Sequence, residues 1–153
     1  MWNGEIKTLN MNSGKIKLLA SENDEAVECC QIEPNSLRAV TGGADGTVQG
    51  WNIINGKNKC FSYLFQNSSL GKSLFTGNTS NDIYCVATKN EKVASADCEG
   101  VIRLWTWTGQ IIRVMKEHVG SIRTLHYHPY YEVLISGGDA KFLVLWDSES
   151  GTI

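Results

Sequence analysis

The hexapeptides TVQGWN (residues 47–52), VIRLWT (101–106) and FLVLWD (142–147) are three versions of one segment, each with tryptophan at the fifth position. Trp51, Trp105 and Trp146 are 54 and 41 residues apart. The flanking positions also repeat. Five residues before the tryptophans, in a turn after a run of small residues, lie Gly46, Gly100 and Lys141, and four or five residues after them, in a second turn, lie Gly56, Gly109 and Gly151. Similarity at a fixed period predicts a repeat architecture.

A fourth, weaker copy lies at the start of the sequence. EIKTLN (5–10) has Leu9 at the tryptophan position, Gly4 five residues before it and Gly14 five residues after it. Leu9 precedes Trp51 by 42 residues, close to the spacing of 41 seen later. The base period therefore lies in the low forties.

Short runs rich in Val, Ile and aromatic residues, bounded by Gly, Asn and Asp, predict β-strands around each tryptophan. In the last copy the runs cover 121–128, 132–136 and 142–146, and earlier copies repeat this order at 26–33, 37–41, 47–53 and 59–65, and at 83–88, 93–95, 101–107 and 111–115. The Gly-Gly pairs at 42–43 and 137–138 are expected at strand reversals. No segment has a sustained period of 3.6 residues, so the sequence predicts an all-β fold.

Composition excludes several classes of protein. The 153 residues include 14 Lys and Arg against 16 Asp and Glu, a net charge of −2, which argues against nucleic-acid binding. The longest apolar stretches run about five residues, too short for a membrane span. The five cysteines are odd in number and include no C-x-x-C pair, so neither a disulfide framework nor a zinc knuckle is indicated. We expect a soluble protein in the cytoplasm or elsewhere inside the cell, the nucleus included.

The tryptophan segments resemble the WD-repeat family of β-propellers. Leu145-Trp146-Asp147 carries the dipeptide that gives the family its name, and Glu117-His118 stands where the family usually has Gly-His. The family has a period of about 40–45 residues and four antiparallel strands per blade. The resemblance implies repeat units at about 1–24 (third and fourth strands only), 25–81, 82–117 and 118–153 (without a fourth strand).

In that family, a His before the first strand, a Ser or Thr in the second, an Asp in the next turn and the Trp form a hydrogen-bonded tetrad. The resemblance implies tetrad-like structural roles in three units, although none is complete. The residues are Thr41, Asp45 and Trp51; Ser95, Glu99 and Trp105; and His118, Ser136 and Trp146, where Ala140 replaces the Asp.

No pattern of residues predicts chemistry. His126 and His128 share one strand face, but no Cys, Asp or Glu pair has metal-ligand spacing beside them. The sequence contains no motif that would position a nucleophile, either as a Ser-His-Asp set or as a Cys-His pair. The sequence therefore predicts no catalytic residue, no metal site and no cofactor.

The segment 66–80 is an insertion between the fourth strand of one unit and the first strand of the next. It contains apolar side chains in an otherwise polar loop, and two roles are open for them: folding back onto the blade edges, or contacting a partner. The candidate contact residues are Leu70, Lys72, Leu74 and Phe75.

The predicted strands number two, four, four and three, about three blade-equivalents, whereas closed propellers usually have 4 to 8 blades. The chain is therefore expected to form a partial propeller. Three explanations are open: it is a segment of a longer propeller protein, a second copy completes the ring, or a different protein supplies the missing blades.

The expected function is a non-catalytic scaffold for protein partners, within a larger intracellular assembly. One alternative is a propeller enzyme, which would show convergent ionisable residues with perturbed pKa values at the mouth of the central channel. Another is recognition of phosphorylated peptides, which requires at least two arginines to converge, from among Arg38, Arg103, Arg113 and Arg123.

Overall fold

The computed structural model describes residues 4–23, 25–34, 36, 38–52 and 81–153, and this part of the chain consists of β-strands joined by turns. The all-β prediction is confirmed. The strands are β1 (Gly4–Leu9), β2 (Ile16–Asn23), β3 (Val27–Ile32), β4 (Arg38–Gly43), β5 (Val48–Asn52), β6 (Ile83–Lys89), β7 (Lys92–Asp97), β8 (Val101–Thr106), β9 (Ile111–Lys116), β10 (Ile122–Tyr127), β11 (Val133–Gly138) and β12 (Leu143–Asp147). The strand predicted at 59–65 lies outside the described residues. No described segment is a helix that could span a bilayer.

The strands form four antiparallel sheets in which neighbours in sequence are neighbours in space. We number them in chain order: sheet I is β1-β2, sheet II is β3-β4-β5, sheet III is β6-β7-β8-β9 and sheet IV is β10-β11-β12. A register shift recurs near the start of the first strand in sheets II, III and IV, between Val27 and Cys29, between Ile83 and Cys85, and between Ile122 and Thr124. A bulge at the same place in each sheet indicates that the three sheets are copies of one unit.

Sheets II, III and IV stack face to face, and sheet III is buried on both faces. β6 contacts both β3 and β10, so the first strands of sheets II, III and IV are neighbours. One core cluster joins sheets II and III and includes Val40, Val48 and Trp105. A second joins sheets III and IV and includes Leu104 and Trp146. Because side chains alternate along a strand, each short strand contributes residues to both faces of its sheet.

The turns between second and third strands need a left-handed residue five positions before each tryptophan. The φ angles are 75° at Gly46, 82° at Gly100 and 63° at Lys141. Glycine adopts this conformation without a steric penalty, whereas lysine does not. The repeated spacing to the tryptophan therefore reflects the need for a positive φ at this turn position, and Lys141 adopts that φ at a steric cost.

The Gly-Gly pairs at 42–43 and 137–138 are the last two residues of strands β4 and β11, at the reversals where the sequence predicts them. The carbonyl oxygens of Gly43 and Gly138 accept the turn N–H groups of Gly46 and Lys141, each at 3.2 Å. A Cβ atom on Gly138 would lie 2.0 Å from the carbonyl oxygen of Ser121, and one on Gly42 would lie 2.5 Å from Cγ2 of Ile83. These glycines are needed where the neighbouring backbone or the next sheet approaches closely.

The left-handed positions give a first prediction. A Cβ atom at Gly100 would lie 2.6 Å from the carbonyl oxygen of His118, and φ is positive there, so Gly100→Ala should lower the free energy of unfolding by about 2 kcal/mol or more. Lys141→Gly relieves strain and should raise it by about 0.5 kcal/mol. Urea denaturation measures both, and a loss of stability in Lys141→Gly would contradict the assignment.

Candidate functional site

A buried hydrogen bond joins the third strand to the second in each of sheets II, III and IV. The indole Nε1–H of Trp51 donates to Thr41 Oγ1 at 2.9 Å. Trp105 donates to Ser95 Oγ at 2.9 Å, and Trp146 donates to Ser136 Oγ at 2.8 Å. The structure thus brings together the Trp and the hydroxyl residue of each tetrad-like set. An indole N–H that is removed from water needs such an acceptor.

In sheet IV the network extends to His118. Its Nε2 lies 2.7 Å from Ser136 Oγ, and its ring stacks on Phe142 with centroids 5.2 Å apart. Nδ1 is buried without a hydrogen-bond partner, and Ala140 occupies the position where the family pattern has an acid. Desolvation lowers the pKa of His118, because the charged ring would be buried without a counter-ion.

The acidic residues of the other two sets lie outside these networks. Asp45 is exposed and holds its own turn, accepting the backbone N–H of Thr47 at 2.9 Å. Glu99 is also exposed, and a residue that sequence reasoning missed, Asp97, makes the turn contacts in sheet III. The fully buried Asp97 carboxylate accepts the N–H of Val101 at 2.9 Å and binds Arg103 at 2.6 Å.

Asp97 could have been found from its spacing in the sequence. It stands three residues before Gly100, the left-handed position, and four before Val101, so its carboxylate can accept N–H groups across the turn. The resemblance to the family favours Glu99 because that residue occupies the position of the tetrad acid.

Within the described ranges, no group of three or more His, Cys, Asp or Glu side chains could hold a metal ion. The histidines lie in different environments. His118 is buried, His126 is exposed on β10, and His128 Nδ1 accepts the backbone N–H of Tyr130 at 3.2 Å and of Tyr131 at 3.1 Å.

The strongest pKa shifts among the described residues belong to groups within sheet interfaces. Burial raises the pKa of the Cys29 thiol and of the Cys85 thiol to about 12. Burial also raises the pKa of Tyr127 well above its usual range. The raised pKa leaves almost no thiolate on Cys29 or Cys85 at physiological pH, which makes these thiols poor nucleophiles.

The arginines that the phosphopeptide hypothesis requires each have a partner of their own. Arg38 binds Glu33 and Glu91, Arg103 binds Asp97, Arg113 donates to the carbonyl oxygen of Glu149, and Arg123 binds Asp139. Arg38, Arg103 and Arg123 thus each bind acids of the chain and Arg113 a backbone carbonyl, and these separate partners disfavour recognition of a phosphate by an arginine cluster.

Ion pairs also join the turns of neighbouring sheets. Arg38 of sheet II binds Glu91 in the β6–β7 turn of sheet III, through Nη1 at 2.7 Å from Glu91 Oε2. Glu132 of sheet IV receives Lys89 at 3.2 Å and Lys92 at 3.3 Å, both from sheet III. Sheet III is thus linked to sheets II and IV at the same end of the stack.

The outer face of sheet IV is apolar and exposed. Leu143 and Leu145 are 67% and 55% exposed, whereas Ile102 and Leu104, which hold the same positions relative to the tryptophan of sheet III, are fully buried against sheet IV. Sheet IV therefore exposes the face that, in sheet III, is covered by the next sheet. The predicted contact loop with Leu70, Lys72, Leu74 and Phe75 lies outside the described residues.

The profile of the family described as WD domain, G-beta repeat matches residues 15–52 and 109–147, about half of the chain. The chain belongs to this WD40 family. The resemblance seen in the tryptophan segments is confirmed, and the fold is a partial β-propeller of antiparallel blades.

Named relatives and a solved structure agree with this assignment. The WD40 chain is 23% identical over 150 residues to human F-box-like/WD repeat-containing protein TBL1X, covering 97% of the chain and 25% of TBL1X. It is 26% identical over 126 residues to Protein HIR1 of Kluyveromyces lactis, covering 82% of the chain and 10% of HIR1. A chain in the crystal structure of the mitotic checkpoint complex superposes with a TM-score of 0.79 at 16% identity, covering 97% of this chain and 44% of that one, which shows the fold alone.

The WD40 chain thus spans about a quarter of the length of TBL1X and a tenth of the length of HIR1.

The shared hydroxyl of sheet IV gives a second prediction. Ser136→Ala removes the oxygen that both Trp146 and His118 contact, so the free energy of unfolding should fall by about 2–3 kcal/mol. Ser121→Ala is the matched control, because its hydroxyl makes one bond, to the Cys98 carbonyl at 2.9 Å, and it should cost about 1 kcal/mol. Equal losses in urea denaturation would contradict the shared role.

The buried imidazole gives a third prediction. Because the pKa of His118 is lower in the folded chain than in the unfolded chain, stability should be complete above about pH 6.5 and should fall as the pH drops toward the folded value. Ala140→Asp should place a carboxylate beside the ring, raise that pKa and reduce the loss. Urea denaturation at pH 7.5 and pH 5.5 measures the effect. If the stability of His118→Gln depends on pH as that of the unaltered chain does, His118 is not the cause of the pH dependence.

Proposed function

We propose that this WD40 chain is a non-catalytic scaffold for protein–protein interaction, whose stacked sheets form a rigid propeller arc. The observation that carries the proposal is the contrast between Leu143 and Leu145, exposed on sheet IV, and the equivalent Ile102 and Leu104, buried beneath the next sheet. The WD-repeat relatives support an interaction role.

The exposed face is suited to another propeller sheet. Fully burying a leucine side chain contributes about 1.5–3 kcal/mol, so covering Leu143 and Leu145 is worth several kcal/mol before the cost of association. Phe142, 47% exposed, enlarges the same surface. β12 also lies at the end of its sheet, and an unpaired strand edge favours pairing with another strand.

The chain holds about three blade-equivalents, with repeat units at about 1–24, 25–81, 82–117 and 118–153. Since a closed ring usually needs 4 to 8 blades, the rest of the ring would come from a second copy or from another propeller segment. The proposed setting is a larger intracellular assembly. The four described cysteines are free thiols, which suits a reducing compartment.

Association in solution is the fourth prediction. The unaltered chain should have a molar mass of two chains or more in light scattering coupled to size exclusion, because the outer face of sheet IV is covered. Leu145→Lys places a charge on that face and should shift the protein to the mass of one chain.

Val119→Lys is the matched control, since Val119 is 82% exposed in the β9–β10 turn and its replacement should leave the mass unchanged. A soluble protein with the mass of one chain, without any substitution, would count against completion of the ring by a second copy of this chain.

A further inference from the structure

The outer face of sheet IV carries an open groove of about 400 Å³. Its floor is a row of residues that pair across the strands, Thr124 with Gly137 and Gly137 with Leu143. Cross-strand partners share one face of a sheet, so these residues lie side by side in the groove. The other residues that line the groove are Arg123, Gly138, Asp139, Lys141 and Phe142.

The same row exists in the two preceding sheets, where the strand register is equivalent. The rows are Cys29, Gly42 and Val48 in sheet II, and Cys85, Ala96 and Ile102 in sheet III. Each of these rows is covered by the next sheet, whereas the row of sheet IV is open. The two covered rows therefore show what the groove of sheet IV is shaped to receive.

An isoleucine from the next sheet fills the same place in each covered interface. A Cβ atom on Gly42 would lie 2.5 Å from Cγ2 of Ile83, so the Ile83 side chain lies directly on that glycine. Ile122 packs in one core cluster with Ala96 and Ile102. Ile83 and Ile122 are equivalent residues, because each stands at the bulge near the start of the first strand of its sheet.

A side-chain donor accompanies the isoleucine in both interfaces. The Cys29 thiol donates to the carbonyl oxygen of Ile83, with Sγ 3.7 Å from the oxygen. The Cys85 thiol donates to the carbonyl oxygen of Ile122 at 3.6 Å. Thr124 holds this position in sheet IV, and its hydroxyl is a stronger donor than a thiol. The donor is thus retained on the uncovered face.

Gly137 is not required by the contacts within sheet IV. Within the described residues, a Cβ atom there would meet two movable side-chain atoms, Cδ2 of Leu143 at 2.7 Å and Cγ2 of Thr124 at 3.1 Å. A glycine inside a strand weakens it, and it is found where another backbone or a ligand approaches closely. The missing side chain at Gly137 therefore keeps open the space that Ile83 fills on Gly42.

We propose that Thr124, Gly137 and Leu143, together called the socket, receive a β-branched aliphatic side chain from the first strand of another propeller sheet, and that the Thr124 hydroxyl donates to the carbonyl oxygen of that same residue. The partner is a propeller sheet with Ile or Val at the bulge of its first strand. This inference rests on the proposed scaffold function and specifies which residue of the covering sheet is recognised.

The probe for the test is a labelled peptide of residues 81–98, which contains β6 and β7 and carries Ile83. The N–H of Cys98 donates to the carbonyl oxygen of Asp82 at 3.1 Å, so the two ends lie close together and head-to-tail cyclisation keeps the strands paired. Fluorescence anisotropy of the probe, titrated with the full chain, should show saturable binding. A probe with Ile83→Ala should bind about tenfold more weakly, because it leaves the socket unfilled.

Variants of the full chain test the socket from the other side. Gly137→Val places a side chain in the groove and should abolish binding of the probe. Thr124→Val keeps the shape of the side chain but removes the donor, and should weaken binding about fivefold. Thr124→Cys restores the donor present in sheets II and III, and should bind the probe more tightly than Thr124→Val.

Tyr130→Ser is the control variant, because Tyr130 is exposed in the turn that follows β10, whereas the socket lies near the start of β10. It should bind the probe as the unaltered chain does. Urea denaturation should show that Gly137→Val keeps its stability, since the side-chain atoms near its Cβ can move. If Gly137→Val does not fold, the comparison of Thr124→Val with Thr124→Cys still decides.

Equal binding of the Ile83→Ala probe, equal binding by a folded Gly137→Val variant, or no binding of the probe to the unaltered chain would overturn the socket. Light scattering of the unaltered chain tests the proposed function separately. A protein with the mass of one chain that binds the probe through the socket counts against a second copy as partner and supports the socket. A protein that associates but does not bind the probe supports the proposed function and overturns the socket.

Discussion

The indole N–H group of a buried tryptophan is the constraint that orders each blade. Trp51, Trp105 and Trp146 each donate to a hydroxyl ten residues earlier in the chain. A buried N–H group that lacks an acceptor costs free energy because it has lost its hydrogen bond to water. The hydroxyl lies within reach of the indole only in one register of the second and third strands. Because a one-residue slip would move the tryptophan to the other face, the bond fixes the strand register and the orientation of the sheet together.

The face of each sheet opposite the tryptophan can then consist of small or aliphatic apolar side chains. In sheet III this face is formed by Ala87, Ala94 and Ala96 with Ile102 and Leu104, all fully buried, and it receives the tryptophan face of sheet IV. Sheet II offers Val40 and Val48 to sheet III in the same way. One rule, a tryptophan face against a small apolar face, therefore generates the stack, and sheet IV ends with an apolar face of the same type uncovered.

Much of this architecture could be predicted because its causes are local in the sequence. Trp105 and Gly100 identify a turn and a strand at fixed spacing, and the alternation of side chains defines the two faces. What could not be predicted depends on contacts between segments far apart. The glycines at 42–43 and 137–138 stand at the reversals that their sequence predicts, but the close approach of Ile83 to Gly42 and of Ser121 to Gly138 depends on the neighbouring strands. Leu104 and Leu145 follow the same local pattern, and only the neighbouring sheet decides that one is buried and the other exposed.

The apolar faces do not by themselves determine which sheet follows which, since each resembles the others in shape and chemistry. The contacts that differ are polar and lie at one end of the stack. Sheet II offers Arg38 to an acid of sheet III, whereas sheet III offers Lys89 and Lys92 to an acid of sheet IV. These ion pairs are partly exposed, so each contributes little free energy. The order of the blades follows from the covalent connections, since β9 ends at Lys116 and β10 begins at Ile122. Apolar burial supplies most of the free energy of stacking, and the ion pairs add contacts between turns that are already neighbours.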